Sequence, residues 1–416
     1  MSGSKVKIWK QDPSVKALGI RTEFIDGKVS DGPRDKKITI ASRTKWYPMG
    51  GGKVFKIEGI PRIPRDPNGD FLLNLERDAV NFDAVHTYSI VRLVVTMYER
   101  ALNRLNITDN FKWQWGDQPI RVHPHAGNWQ NAFYKREWKA LCFFYTAPVR
   151  GQGDMVYSCR SLDVVAHETG HAILDSLKPQ WLHTTRSENG ALHEAFGDLT
   201  AMFLLLSRMD TCAAIIAESK GDLHQRFFFN LIAEEFGVAL GRQYGLRNAD
   251  NDLTMSQAGR EYHRLSRVLT GAVYHILADI FALYRKQDKY DQTESLYRVG
   301  KHIISLVILS YTKAPDSDTA AFKDVAENMI QYETKPAWKT VIRKHFEDRE
   351  VLGQNARDFN EISARGVATS ASEFTPCCAA SGTLPTTLLM DKKDKPAKQA
   401  KPTAGEDDQA SSGDED

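Results

Sequence analysis

The stretch Asp163-Val164-Val165-Ala166-His167-Glu168-Thr169-Gly170-His171-Ala172 constrains this chain more than any other. Two histidines four residues apart on a helix lie about 40° apart around its axis, one turn above the other. Their imidazoles can therefore reach one cation. Glu168 sits one step around from His167, placed to hydrogen-bond a water on that cation without becoming a ligand. Zinc lowers the pKa of such a water to about 7, and a neighbouring carboxylate can take its proton as the oxygen attacks a carbonyl. That is the physical content of the spacing His-Glu-x-x-His. The competing reading is a surface helix with two solvated histidines.

A hydrolytic zinc wants three protein ligands and one open position, so a third ligand must come from a separate element. Glu194 is the candidate, in Glu188-Asn189-Gly190-Ala191-Leu192-His193-Glu194-Ala195-Phe196-Gly197-Asp198. Ala195, Phe196, Leu199 and Met202 make the helix around it apolar, and a buried carboxylate there is costly without a metal or a partner. Asp198, one turn on, would accept the ring N–H of a ligating histidine and fix its tautomer. The alternative is an amphipathic helix with exposed acids.

These residues resemble the thermolysin-like zinc metallopeptidases. The resemblance runs from Leu162 to Ala172, then through Gly190 to Asp198, where the family reads Gly-Ala-x-Asn-Glu-Ala-x-Ser-Asp. Upstream, Asn131-Ala132-Phe133-Tyr134 is similar to the family's cleft strand, and Met97 to Leu105 to the helix end before it. Downstream, Gly245-Leu246-Arg247-Asn248 is similar to its Leu-Arg-Ser segment, and His263, Ser266, Ala272 and Tyr274 to its histidine-led helix. The likeness covers roughly residues 75 to 348 in order.

It implies an α+β, zincin-like fold in two lobes, the first with strands and the motif helix and the second helical. It also implies zinc on His167, His171 and Glu194, with Glu168 as general base. His263 would stabilise the oxyanion. Asn131 and the Ala132 backbone would hold a peptide or protein substrate as an added strand. Arg247 would bind a substrate carbonyl or brace the pocket, and Val164 and Leu246 would line an apolar slot for the residue after the scissile bond. The reaction implied is endopeptidase hydrolysis. Rival readings are a catalytically silent relative that binds a partner, and a zinc aminopeptidase, for which no acidic pair to hold the substrate amine is evident.

Several positions depart from the family pattern. Its second oxyanion donor, a tyrosine, falls at Thr185, with Trp181 and His183 nearby. The asparagine that braces the second histidine is His193, and the acid that orients the oxyanion histidine falls at Ala258. Of the acids that bind structural calcium Asp163 remains, while Leu205 replaces a glutamate, so no calcium is expected there.

Around this centre the 416 residues divide into a polar N-terminal extension (1–38), an α/β lobe with the motif (39–185), a helical lobe (186–352) and an irregular to disordered tail (353–416). Helices are expected over 82–105, 191–208, 225–237, 261–286, 296–311, 320–332 and 335–346, with a turn at Gly151-Gln152-Gly153-Asp154. From Asp391 the tail holds lysines and then acids with almost no apolar residues, too few to offset the entropy of ordering. A net charge of +2 gives no reason to expect nucleic acid or an anionic membrane as partner. The longest apolar run, Ala201 to Leu206, is too short to span a bilayer. No signal sequence is visible, so a cytoplasmic location or release without one is expected. Five cysteines are too few for a disulfide scaffold. Cys159 reads as a packed thiol or, less simply, a thiolate reaching the metal; His123-Pro124-His125 reads as a loop pair; Cys377-Cys378 has no assigned role.

Overall fold

The computed structural model describes residues 3–49, 51–107, 112–148, 154–182, 186–359 apart from 240, 242 and 244, and 388–391. Thr185, His183, Gly151 to Gly153, Cys377-Cys378 and the charged tail beyond Asp391 lie outside the described residues.

The chain opens with an antiparallel hairpin, β1 (Gly3–Trp9) and β2 (Ile20–Asp26). This corrects the expected polar extension. Val6, Ile8, Val15, Leu18 and Ile25 are buried in the main apolar core. Their alternation with lysines along β1 is the period-2 pattern of a half-buried strand, masked in the sequence by the number of charges between them.

β3 (Ile38–Ile40), β4 (Lys45–Pro48) and β5 (Lys53–Ile57) follow, then the long helix α1 (Ala79–Arg104), whose N-cap Asp78 accepts the Asn81 N–H. After it come β6 (Ile120–His123), β7 (Ala132–Lys135), β8 (Ala140–Phe143), β9 (Tyr145–Thr146) and β10 (Val156–Tyr157). Four of these make a sheet in the order β3-β6-β8-β7, parallel except for the antiparallel β7–β8 pair. β8 is buried throughout, as a strand covered on both faces must be. β7 is at the sheet edge.

The motif helix α2 (Leu162–Leu177) is buried from Leu162 to Asp175. It packs against α3 (Ser187–Leu206), which is buried almost all round. Then come α4 (Met209–Ser219), β11 (Leu231–Ile232), α5 (Glu234–Ala239), β12 (Arg247–Asn248) and α6 (Met255–Ala258), followed by α7 (Tyr262–Arg285), α8 (Gln292–Lys313), α9 (Phe322–Tyr332) and α10 (Pro336–Asp348). Strands thus concentrate before the motif helix and helices after it, an α+β architecture of the expected two-part kind. α7 alone, among the described helices, is long and apolar enough to cross a membrane, and 78% of that stretch is buried inside the protein.

Two local expectations are revised. The helix expected over 225–237 is instead a turn region, β11 and the short α5. Asn230 uses its side chain on Gln225 and Phe227 backbone groups, and the Ala233 N–H donates to Asp163, so these groups are withdrawn from a helical ladder. α4, not expected, forms directly after α3. Within the expected tail, β13 (Leu389–Asp391) pairs antiparallel with β5.

Asp163 sits at the start of α2, where Gln11 Nε2 and the Ala233 N–H both donate to its Oδ2 at 3.1 and 3.0 Å. Burial, then the nearby acids Asp12 and Glu234, push its carboxyl up to about 7 despite those two bonds. A carboxyl whose folded pKa is raised favours the fold in its protonated form. Its contribution is complete below the unfolded value and declines as pH rises from about 4 to 7, by at most about 1.4 kcal/mol per pH unit. Asp163→Asn keeps both acceptor bonds and removes the titration. Urea unfolding at pH 4, 5.5 and 7 should therefore show a flatter pH dependence in the variant; identical slopes would place the titration elsewhere.

Candidate metal centre and cleft

α2 and α3 meet at two glycines. A Cβ on Gly170 would lie 2.6 Å from Thr200 Oγ1 and 3.1 Å from the Gly197 Cα, and one on Gly197 would lie 2.7 Å from the His167 ring. Gly170 falls between His167 and His171, and Gly197 between Glu194 and Asp198, so the four functional side chains face one another across the closest approach. The family pattern has serine where this chain has Gly197, and here the His167 ring fills that space. The Tyr98 and Thr200 hydroxyls, 2.6 Å apart, tie α1 to the same contact.

Across that approach, His167 Nε2 and His171 Nε2 are 3.1 Å apart, and they lie 3.6 and 3.7 Å from the Glu194 carboxylate. All three residues are buried. The imidazole rings stand at 85° with centroids 4.7 Å apart. Ligand atoms 2.0–2.1 Å from a tetrahedral zinc are about 3.4 Å from one another, so these spacings match a single ion without rearrangement. The charges match as well, since the buried carboxylates Glu194 and Asp198 both lean on the Arg247 guanidinium, at 3.2 and 2.6 Å. Two negative groups sharing one cation leave room for further positive charge. His167, His171 and Glu194 can hold a metal ion.

The surrounding contacts set the tautomers. Asp198 Oδ1 lies 3.0 Å from His167 Nδ1, and His167 Nε2 faces the centre. His193 fills the place of the missing asparagine, its Nδ1 3.0 Å from His171 Nδ1. Burial opposes charge on His167, yet Asp198 and Glu194 outweigh it and hold the ring's proton affinity well above the ordinary. His171 goes the other way under burial and the neighbouring His167 charge. Glu194, despite burial, is held well below the carboxylate range by His263, His167, His171 and Arg247.

Glu168 is fully buried, and its Oε2 accepts the Tyr134 backbone N–H at 3.1 Å. The motif helix is thereby pinned to the edge strand β7. Asn131 Oδ1 accepts the Ala132 N–H at 2.9 Å, while Asn131 Nδ2 is buried without a hydrogen-bond partner among the described residues. His263 stands in the first turn of α7, 28% exposed, with Nε2 3.9 Å from Glu194 and Nδ1 2.8 Å from Glu261. Glu261 is thus the acid missing at Ala258. It also caps α7 through the His263 and Arg264 N–H groups. Partial burial would raise its pKa, but the His263 ring and these N–H groups bring it down to about 2. Sequence reasoning misses Glu261 and His193 in these roles; an acid two residues before a helix-leading histidine is the available signal for the first.

Arg247 contacts Glu194 at 3.2 Å and Asp198 at 2.6 Å. Val164 and Leu246 lie in the main core, 1% and 7% exposed. Cys159 is a packed thiol, pushed well up by burial and placed by Asp83 and His125 rather than by the histidine pair. His123 pairs with the Tyr47 hydroxyl and His125 with Asp83, so these two histidines diverge.

Residues 65–175 match the family model described as the thermolysin metallopeptidase catalytic domain. The chain is thermolysin-like over that span, which takes in Asn131, His167, Glu168 and His171 and ends before Glu194. No curated protein matches the chain. Among solved structures it is similar to the precursor of protealysin, a metalloproteinase from Serratia proteamaculans, at 14% identity and a TM-score of 0.47, over 79% of this chain and 91% of that one.

Gly170→Ala tests the close approach. Alanine favours a helix by up to about 1 kcal/mol over glycine, but overpacking costs about 1–3 kcal/mol. A net loss of about 1–2 kcal/mol is expected in urea denaturation. Equal or greater stability would show that α2 and α3 have slack at this point.

Proposed function

We propose that this chain is a zinc-dependent endopeptidase in which His167, His171 and Glu194 hold the metal and Glu168 is the general base. The observation that carries the proposal is the convergence of these four residues beneath the edge strand of a sheet. Zinc supplies an electrophile for the scissile carbonyl and lowers the pKa of a water to about 7.

The chain's own groups would do the rest. An extended peptide pairs with the outer edge of β7, an added strand beside Ala132. Glu168, held by the Tyr134 N–H on Oε2, would take the water's proton and pass it to the leaving amine. Asp198 and His193 hold the two ligating imidazoles in register. Glu261 holds His263 Nδ1, which turns Nε2 to the Glu194 side of the centre, where it would donate to a developing oxyanion when the ring carries both protons. Arg247 keeps Glu194 ionised and in place. An apolar residue after the scissile bond is part of the proposal, with Val164 and Leu246 lying in the core and not on an open slot wall. Asn131, with its unspent amide, is the side chain suited to grip the substrate backbone.

Glu168→Gln should retain zinc and lose about 10²–10⁴ in turnover on an unstructured protein. Zinc retained with wild-type cleavage would move the base elsewhere. No cleavage by the zinc-loaded wild type would favour the silent, partner-binding relative.

His263→Ala should leave zinc binding unchanged and lower kcat by roughly 10²–10³ on a peptide with a large apolar residue after the scissile bond. A fall of less than about fivefold, with kcat/KM preserved, would make His263 structural, since that is far below the cost of losing an oxyanion donor.

A further inference from the structure

A second group of metal-type ligands lies in the helical part of the chain, apart from the candidate centre. His224, Asp250 and His275 bring one ligand atom each within 4.8 Å of the others. His224 stands in the turn after α4, Asp250 in the loop after β12, and His275 in the middle of α7. His275 follows His263 on the same helix by ~18 Å of axial rise.

The geometry is that of a ligand set. Asp250 Oδ1 lies 3.1 Å from His224 Nδ1 and 2.8 Å from His275 Nε2. His275 Nε2 is buried beside that oxygen, which sits off the line of a ring N–H. The two rings meet edge to face at 81° with centroids 5.0 Å apart. Two imidazoles on one tetrahedral zinc have centroids about 5.2 Å apart, given Zn–N near 2.0–2.1 Å. The His167–His171 pair, at 4.7 Å, differs from that by more.

The scaffold is already ordered. Asn248 Oδ1 accepts the Asp250 N–H, and Asp222 Oδ1 accepts the His224 N–H. Asn251 Nδ2 donates to the Asn248, Ala249 and Arg267 carbonyls, and Gly271 lets that side chain lie against α7. Asp252 Oδ1, 3.7 Å from His275 Nδ1, is placed to take that ring's other N–H after a small movement, the usual companion of a ligating histidine. Asp279 takes His345, which stands edge-on to His275, and Arg349 reaches Asp252 at 3.9 Å. The local carboxylates therefore outnumber the guanidinium. Two imidazoles and one carboxylate, with a side open to solvent at the half-exposed His224, suit zinc or a similar divalent transition metal and not calcium.

We propose that His224, Asp250 and His275 form a second, structural site for a divalent transition metal. Bound metal would clamp the turn after α4 and the loop after β12 onto α7. Asp250 follows closely behind Arg247, and His275 shares a helix with His263, so the clamp would steady the two residues that reach Glu194 from this side.

The test uses the full chain carrying His167→Ala and His171→Ala, which removes the other set. After equilibration with zinc and removal of free metal, this variant should retain about one zinc per chain and a higher Tm than its chelator-treated form. Cobalt in its place should give the visible absorption of a tetrahedral site. Adding His275→Ala should abolish both signals. His224→Ala should do the same, and because His224 is half exposed it leaves the helix packing untouched, which circular dichroism checks. Zinc retained after His224→Ala, or no zinc in the starting variant, overturns the proposal. His224→Ala in the otherwise unaltered chain should still hold about one zinc at the first centre, so failure of the second site and failure of the peptidase reading give different results.

Discussion

The close contact of α2 with α3 is the constraint on which the functional arrangement depends. Helix axes usually pack 8–10 Å apart, at distances set by the side chains between them. Gly170 and Gly197 remove those side chains at the one level where His167, His171, Glu194 and Asp198 must meet. The burial around this level is apolar and extensive: Val165, Ala166, Ile173, Ala195, Phe196 and Leu199 are all 1% exposed or less. Each large side chain so buried stabilises the fold by about 1.5–3 kcal/mol. That apolar surplus offsets the cost of keeping two carboxylates and two imidazoles out of water.

Much of this was legible in the sequence, for physical reasons. The 3.6-residue period forces His167 and His171 to one side of any helix that contains them, so the pair needed no tertiary information. Glu194 was legible because an acid among Ala195, Phe196 and Leu199 must be buried and so must have a partner. His193 and Glu261 were harder. Both replace expected residues with a different geometry, and their contacts depend on how α3 and α7 dock. The N-terminal hairpin was masked by its charges: lysines on the outer side of β1 lowered the apparent hydrophobicity of a strand whose other side is core. The region from Gln225 to Gly237 misled in the opposite sense. Its apolar residues are frequent enough for a helix, but Asn230 and Ala233 spend their hydrogen bonds elsewhere.

The same contacts show how charge is managed at a dry site. Arg247 leans on both Glu194 and Asp198, and its own strand partner is Ile232 on β11. A guanidinium suits this position because its fork of donors can meet two carboxylates at once, which an ammonium could not do in fixed geometry. It favours the ionised form of both acids and meets Glu194 at Oε2, which His167 Nε2 also approaches at 3.6 Å, while His171 and His263 approach Oε1.

A single line of contacts then joins the two ends of the fold through the motif helix. Gln11, from the N-terminal hairpin, bonds Asp163 at the start of α2; Asp163 also takes the Ala233 N–H, directly after β11; β11 pairs with β12, and β12 presents Arg247 to Glu194. Amide donors from the protein itself satisfy the Asp163 Oδ2. An amide pair holds a carboxyl as firmly as its geometry allows but cannot neutralise it, which is why burial leaves this group easily protonated. The hairpin thus fastens the head of the motif helix, one end of the element whose middle the two glycines bring against α3.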